Sequence, residues 1–371
     1  MLDSSSLLKT ADISMPRVSQ IKQTIRGQVH SGKLKTGEKL PSLSQLAILF
    51  ECSLGLVRQA INTLIAEGLL MSQPRKGVFV SESRVAVSDI AFVTPTGHME
   101  NIQHIFEGVQ TGVEQSPYRV VLHAANYDFD QEMSLLNDLD PQSYAGVLIQ
   151  PPPFVEQMAP VVKFSERGIP VVQVGRSLVG LDIDAVVADG VELGRIAMEH
   201  LVSHGHKQIG CVDSKTDYHF NNEIAQGFDL ALNPIGRSMD DIAVAHISAT
   251  DLNRQQPWLN GQKAAAYLLD EYPNLTAIIG MNPHMTLGIY KAVQQAGKVV
   301  GRDISVIGLF ADMSFFTALE PTVTVVCCDL NQIGQRAALL LRQRIENPNT
   351  PHRTICLSSK LIARQSVQSV R

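Results

Sequence analysis

From residue 90 onward the chain repeats one pattern: a short apolar run rich in β-branched residues, then a stretch with helical spacing, then another run. The runs are Ile90 to Thr94, Arg119 to Ala124, Gly146 to Gln150, Pro170 to Val174, Ile209 to Val212, Ile242 to Ser248, Ala277 to Gly280 and Ser305 to Gly308. Strands joined through helices pair in parallel, because only a crossover of about a dozen residues can bring the chain back in the same direction. Residues 89–371 exceed what one such sheet can hold around a single core, so the pattern predicts an α/β body of doubly wound parallel sheets in two lobes with a cleft between them. Ligands of such folds sit at the carboxyl ends of the strands.

The first 80 residues follow different rules. Residues 1–15 are Ser-rich and unpatterned and read as a flexible tail. In 16–80, Val18, Ile21, Ile25 and Val29 recur at helical spacing, closed by Gly32 and Gly37. Ser42 with Gln45 three residues on forms a capping-box pattern, opening a helix that carries Leu46, Leu49 and Phe50. Ser53 caps a third helix with Val57, Ala60, Ile61 and Leu64 on one face, ending at Gly68. Leu69 to Met71, a turn through Pro74, Arg75, Lys76 and Gly77, and Val78 to Val80 then predict a hairpin. Three helices with a basic-tipped hairpin make an N-terminal winged helix-turn-helix, joined by a polar linker at 81–88 to the body at 89–371.

Charge supports this division. The net charge of −5 conceals nine Lys or Arg against three acidic residues in 16–80, and 21 against 31 in 81–371. A basic head on an acidic body is what is expected when one end faces phosphates. The N-terminus lacks a basic segment followed by an apolar core, and no apolar stretch reaches the roughly 18 residues of a membrane span, so a cytoplasmic location is expected. Five scattered cysteines, including the adjacent Cys327 and Cys328, fit buried thiols in a reducing compartment. The nucleotide- and hydrolase-type motifs G-x-G, GxxxxGK[ST], GxSxG and HExxH are missing, so neither an enzyme nor a cofactor is expected. His200, His204 and His206 have two members one helical turn apart, yet the segment reads better as a helix end with Gly205 at its cap, and no metal site is expected.

The string LPSLSQLAILFECSLGLVRQAINTLIAEGLL at 40–70, followed by RKGVFV, resembles the DNA-binding domain of the GntR family. That resemblance implies a double-stranded DNA operator as partner, contacted by Lys39, Ser42, Ser44, Ser53, Gly55, Arg58, Arg75, Lys76 and Gly77. The chain departs from the family at Leu43, Ser44, Leu54 and Leu56, so base readout should be poorer in hydrogen bonds and richer in contact with thymine methyl groups.

The body resembles the effector domain of the LacI/GalR family, itself similar to periplasmic sugar-binding proteins. The matching residues are Ile169 to Val172 with Arg176, Asp189 with Gly190 and Gly194, HLVSHGHKQIG at 200–210, Gly227 with Phe228, Asn282, DISVIG at 303–308, Leu319 to Val325, and Leu361 to Ser366. The resemblance implies a periplasmic-binding-protein-like domain, a homodimer, a small-molecule effector of the sugar or sugar-derivative class, and a carbohydrate-related repressor. It places candidate ligand contacts at Arg176, Asp189, Ile224, Trp258, Asn282 and Phe310. Two of these depart from the family, which has Arg where this chain has Ile224 and Asp where it has Phe310. Asp189 could equally cap the following helix. Trp258, in a loop before Gly261, could face the cleft or pack on a neighbour. Two alternatives remain: a regulator whose altered pocket no longer answers to a sugar, and a solute-binding protein.

Overall fold

A computed structural model of the chain describes residues 17–30, 34–35, 37–66, 69–74, 76–81, 89–95, 100–125, 129–139, 143–152, 158–166, 168–178, 180–215, 219–248, 256–348 and 350–370. The polypeptide divides into two compact units, 1–88 and 89–371. The expected tail at 1–15 and all of the linker except Ser81 lie outside the described residues.

In the first unit, α1 (Arg17–His30), α2 (Leu43–Leu49) and α3 (Leu54–Ala66) precede an antiparallel pair, β1 (Leu70–Gln73) and β2 (Gly77–Val80). The apolar stripes set the packing: Ile21, Ile25 and Val29 of α1 meet Val57, Ala60, Ile61 and Leu64 of α3, with Leu46, Leu70 and Val80 closing the core. Each such aliphatic, fully buried, is worth about 1.5–3 kcal/mol relative to exposure. Between α2 and α3 the chain turns at Glu51, whose φ is +48°.

The second unit runs β3 (Asp89–Thr94), α4 (Glu100–Val113), β4 (Arg119–Ala124), α5 (Phe129–Asp138), β5 (Gly146–Ile149), α6 (Ala159–Glu166), β6 (Val171–Gly175) and β7 (Asp184–Ala188). It continues with α7 (Gly190–Ser203), β8 (Ile209–Lys215), α8 (His219–Leu232), β9 (Ala243–Ser248), α9 (Trp258–Glu271), β10 (Ala277–Gly280), α10 (Pro283–Gln295), β11 (Ser305–Phe310), α11 (Ser314–Ala318) and β12 (Thr324–Cys327). It closes with α12 (Leu330–Glu346), β13 (Thr354–Leu357) and β14 (Lys360–Ile362). Two six-stranded sheets result, ordered β13-β7-β6-β5-β3-β4 and β14-β12-β11-β10-β8-β9, parallel throughout except for β14. These are the two lobes.

The eight strands expected from sequence are all present, and β7, β12, β13 and β14 join them. β7 was hidden because its first residue, Asp184, reads as loop. That carboxylate is completely buried and accepts Nε and Nη2 of Arg344 at 2.8 and 3.0 Å and the amide of Arg353 at 2.9 Å. A charge can enter a strand only with such a partner, here 160 residues away.

The chain passes between lobes three times, at Asp189, at Cys328–Asp329 and at Ser358–Ser359. Asp189 and Asp329 each cap the helix that follows, accepting the amides of Glu192 (2.9 Å) and Gln332 (3.1 Å). Close helix pairs stiffen each lobe. A Cβ on Gly334 of α12 would lie 1.9 Å from the Ile105 carbonyl oxygen of α4, and one on Gly227 of α8 would lie 2.2 Å from that of Val191 in α7. These positions tolerate no side chain, because the opposing backbone cannot retreat.

Candidate nucleic-acid face and ligand cleft

On the head, Ser42 and Gln45 form the expected capping box: Ser42 Oγ accepts the Gln45 amide at 3.3 Å and Gln45 Oε1 accepts the Ser42 amide at 2.8 Å. Ser53 Oγ accepts the Leu56 amide at 3.4 Å. Ser44, Gly55 and Arg58 are exposed, as are Lys39, Lys76 and Gly77. The last three come together at the hairpin. Lys39 bridges Phe79 in antiparallel fashion, and its Cε lies 3.0 Å from where a Gly77 Cβ would stand, while Gly77 holds φ +118°. The dihedral calls for glycine there, whereas the lysine stem could move aside for a side chain. Arg75 lies outside the described residues.

In the body, the carboxyl ends of the two sheets face each other. Phe310, the last residue of β11 in the second lobe, projects toward the ends of β5 and β6 in the first: a Cβ on Gly175 would touch Phe310 Cζ at 4.0 Å, Gln150 Nε2 at 3.8 Å and Ile105 Cδ1 at 3.6 Å. The Phe310 ring also packs edge-on against Phe220 of α8, with centroids 5.5 Å apart. Its φ of +85° is rare for any residue with a side chain, and a bulky one adopts it only when the surroundings hold it there. One backbone contact holds Phe310 itself, and two hold the residues that follow it. The Phe310 carbonyl accepts the Cys328 amide at 3.4 Å, Asp312 receives a two-pronged Arg364 guanidinium at 2.7 and 2.8 Å, and Glu100 reaches across from the first lobe. Glu100 Oε1 accepts the Ser314 amide and Oε2 accepts its hydroxyl, both at 2.8 Å. It thereby supplies the side-chain cap that Met313, preceding α11, cannot.

The expected ligand residues are distributed as follows. Arg176 directly follows β6 and is half-buried, Phe310 lies in the cleft, and Asn282 stands just past β10. Asn282 caps α10, its Oδ1 accepting the Met285 amide at 2.9 Å, so its amide nitrogen is the group left for other partners. Asp189 takes the capping role that the sequence left open. Two expectations need correction. Ile224 has no accessible surface: it sits in the second lobe's core, its carbonyl 2.3 Å from where a Gly194 Cβ would be, and it offers nothing to a ligand. Trp258 is not in a loop but opens α9, half-buried, its carbonyl held against Gly288 of α10. Sequence reasoning missed Gln150, Phe220 and the Glu100–Ser314 bridge. A lone polar residue ending the run GVLIQ was a signal for Gln150, while Glu100 had none.

The histidine cluster is structural. His206 is buried, with its ring nitrogens 2.9 Å from Thr276 Oγ1 and from the Gln368 carbonyl. The rings of His200 and His204 lie 4.4 Å apart, and burial, then the neighbouring His204 and His206, push the His200 pKa down to about 4. The helix ends at His204, and Gly205 follows with φ +84°. Cys327 and Cys328 are free and buried, and burial raises the Cys328 thiol to about 12. Among the described residues, no single helix is long and apolar enough to cross a membrane.

Comparison with known proteins agrees with both units. Residues 17–80 match the family of bacterial regulatory proteins, gntR family, and residues 198–367 match the periplasmic binding protein-like domain. An arabinose metabolism transcriptional repressor of Geobacillus stearothermophilus is 26% identical over 370 residues, 96% of this chain and 99% of that protein. Among solved structures, a LacI family transcriptional regulator from Enterococcus faecium with bound ribose aligns at 21% identity and TM-score 0.64, over 76% of this chain and all of the other. A lac repressor dimer bound to operator and an anti-inducer aligns at 20% identity and TM-score 0.63, over 76% and 94%. The chain therefore carries a gntR-family regulatory helix-turn-helix domain at its head and a periplasmic-binding-protein-like domain with the LacI-family fold behind it.

Proposed function

We propose that this chain is a homodimeric, effector-responsive, DNA-binding transcription regulator that acts in the cytoplasm as a repressor of a carbohydrate-related operon, and that it is not an enzyme. The observation that carries this reading is the joining of an exposed basic winged helix-turn-helix to a two-lobed body whose strand ends face each other across a cleft. The relative named for arabinose metabolism and the fold neighbour holding ribose support a sugar-class effector. The mechanism is a population shift: an effector that binds the closed cleft better than the open one moves the lobes, and the dimer changes the spacing of its two heads relative to adjacent half-sites. Arg176, Asn282 and Phe310 contact the effector, and Lys39, Ser44, Ser53, Gly55, Arg58, Arg75, Lys76 and Gly77 contact DNA. Ser42 gives both its hydroxyl lone pair and its proton to Gln45, so it serves chiefly as the cap.

The test is a thermal-shift screen of sugars, sugar acids and sugar phosphates, followed by operator binding with and without each stabilising compound. A compound that raises the melting temperature and changes DNA affinity is the expected result. A second reading has its own observation. With Ile224 buried and Phe310 across the cleft, the two charged groups of the resembling family are replaced by apolar ones, and the regulator then answers to no free sugar. Under that reading the screen returns nothing while operator binding persists. A solute-binding role has no use for the basic head.

A further inference from the structure

Resting on the DNA-binding reading above, we propose that Leu54 reads the C5-methyl group of a thymine in the major groove, within about two base pairs of a guanine read by Arg58. Burial fixes which side of α3 is free. Val57, Ala60, Ile61 and Leu64 face the core, and a row at four-residue spacing, Leu54, Arg58 and Asn62, runs from the edge of that face round toward the far side, where Gly55 and Gln59 lie, all five exposed. Leu54 keeps 41% of its surface in water. One exposed leucine is unremarkable in a globular protein. Its place in a single stripe with a cation and an amide is what assigns it.

Among the described residues, the side chains of Arg58 and Asn62 have no hydrogen-bond or ion-pair partner, so the stripe is available to an incoming surface. Gly55 leaves the helix backbone open beside Leu54: a Cβ there would meet nothing nearer than Ser53 Oγ at 3.9 Å. The partner is anionic by charge complementarity, since nine basic residues stand against three acidic ones in 16–80 and Lys39 and Lys76 are exposed at the hairpin. The major groove offers an aliphatic side chain one apolar feature, the thymine methyl, and offers Arg58 the O6 and N7 of guanine. Four residues of helix rise about 6 Å, less than two base-pair steps of about 3.4 Å, which sets the spacing of the two bases.

Selection from a random duplex library by the full-length chain supplies the half-site. Replacing each of its thymines by deoxyuridine then removes the methyl group alone. We expect one thymine at which uracil weakens binding roughly four-fold, the effect of burying a single methyl group. Leu54→Ala should bind the thymine and uracil duplexes equally, with unchanged salt dependence, and Arg58→Ala should lose discrimination at a guanine within two base pairs. Tolerance of uracil at every position, continued discrimination by Leu54→Ala, or the absence of an Arg58-dependent guanine at that distance overturns the assignment while leaving DNA binding intact. Failure to enrich any duplex removes the DNA-binding reading and this one with it.

Discussion

Removing the Glu100 carboxylate tests whether the cleft is held shut by the protein itself. The carboxylate belongs to α4 of the first lobe, and both of its oxygens accept from Ser314 of the second at 2.8 Å, capping α11 from across the cleft. A side-chain cap is worth about 1 kcal/mol, and hydrogen bonds to a charged acceptor more when buried. Glu100 is 28% exposed at its side chain, which keeps the sum to about 1–2 kcal/mol. Because the contact lies between lobes, Glu100→Ala should leave each lobe's packing alone and shift the closed-to-open ratio by roughly 5–30-fold. An effector that binds only the closed form, when the open form predominates, loses affinity by the same factor. Small-angle scattering of the free protein, or energy transfer between dyes on the two lobes, reads the opening, and calorimetry reads the affinity. Glu100→Gln, which keeps one acceptor oxygen without the charge, should fall between. If Glu100→Ala leaves the interlobe distance unchanged, or lowers the melting temperature without opening the cleft, the bridge is a local cap and no latch.

Other consequences follow from single contacts. Asp184→Asn strands a buried guanidinium and should cost about 3–5 kcal/mol in denaturant unfolding, whereas replacing Asp184 and Arg344 together by apolar residues of similar volume should cost far less. Gly334→Ala drives a methyl group into the α4 backbone and should destabilise by about 3 kcal/mol or more, measured the same way. His200 has a folded pKa lowered to about 4 against 6.5 unfolded, so the unfolded chain binds the extra proton between these values. Stability from this group is complete above pH 6.5 and falls as the pH drops toward 4, and His200→Asn should flatten that part of the melting-temperature profile. Lys39→Ala and Lys76→Ala should each reduce the slope of log affinity against log salt for DNA by about one, and an unchanged slope would place the hairpin outside the interface.

Local, periodic features were legible from the residues alone. The spacing of Val57, Ala60, Ile61 and Leu64 made α3 and chose its buried side, Ser42 with Gln45 started α2, and the apolar runs placed eight strands. Such features depend on residues within one or two turns of each other, so composition and spacing suffice to specify them. The remaining strands escaped because partners distant in the chain decide them: β7 carries an aspartate that only Arg344 makes burial tolerable, and β13 and β14 are short edge segments formed after the chain has crossed between lobes. The cleft divides along the same line. Arg176, Asn282 and Phe310 were named from the resemblance to a known family, and the structure places each at or just past the carboxyl end of a strand. Tertiary packing alone decided that Ile224 is sealed beneath Gly194, that Phe310 spans to Gly175 at a strained φ, and that Glu100 caps a helix 214 residues away. Strand order, buried charge compensation and interlobe contact are properties of pairs, and a linear pattern fixes a pair only when its members are neighbours in the chain.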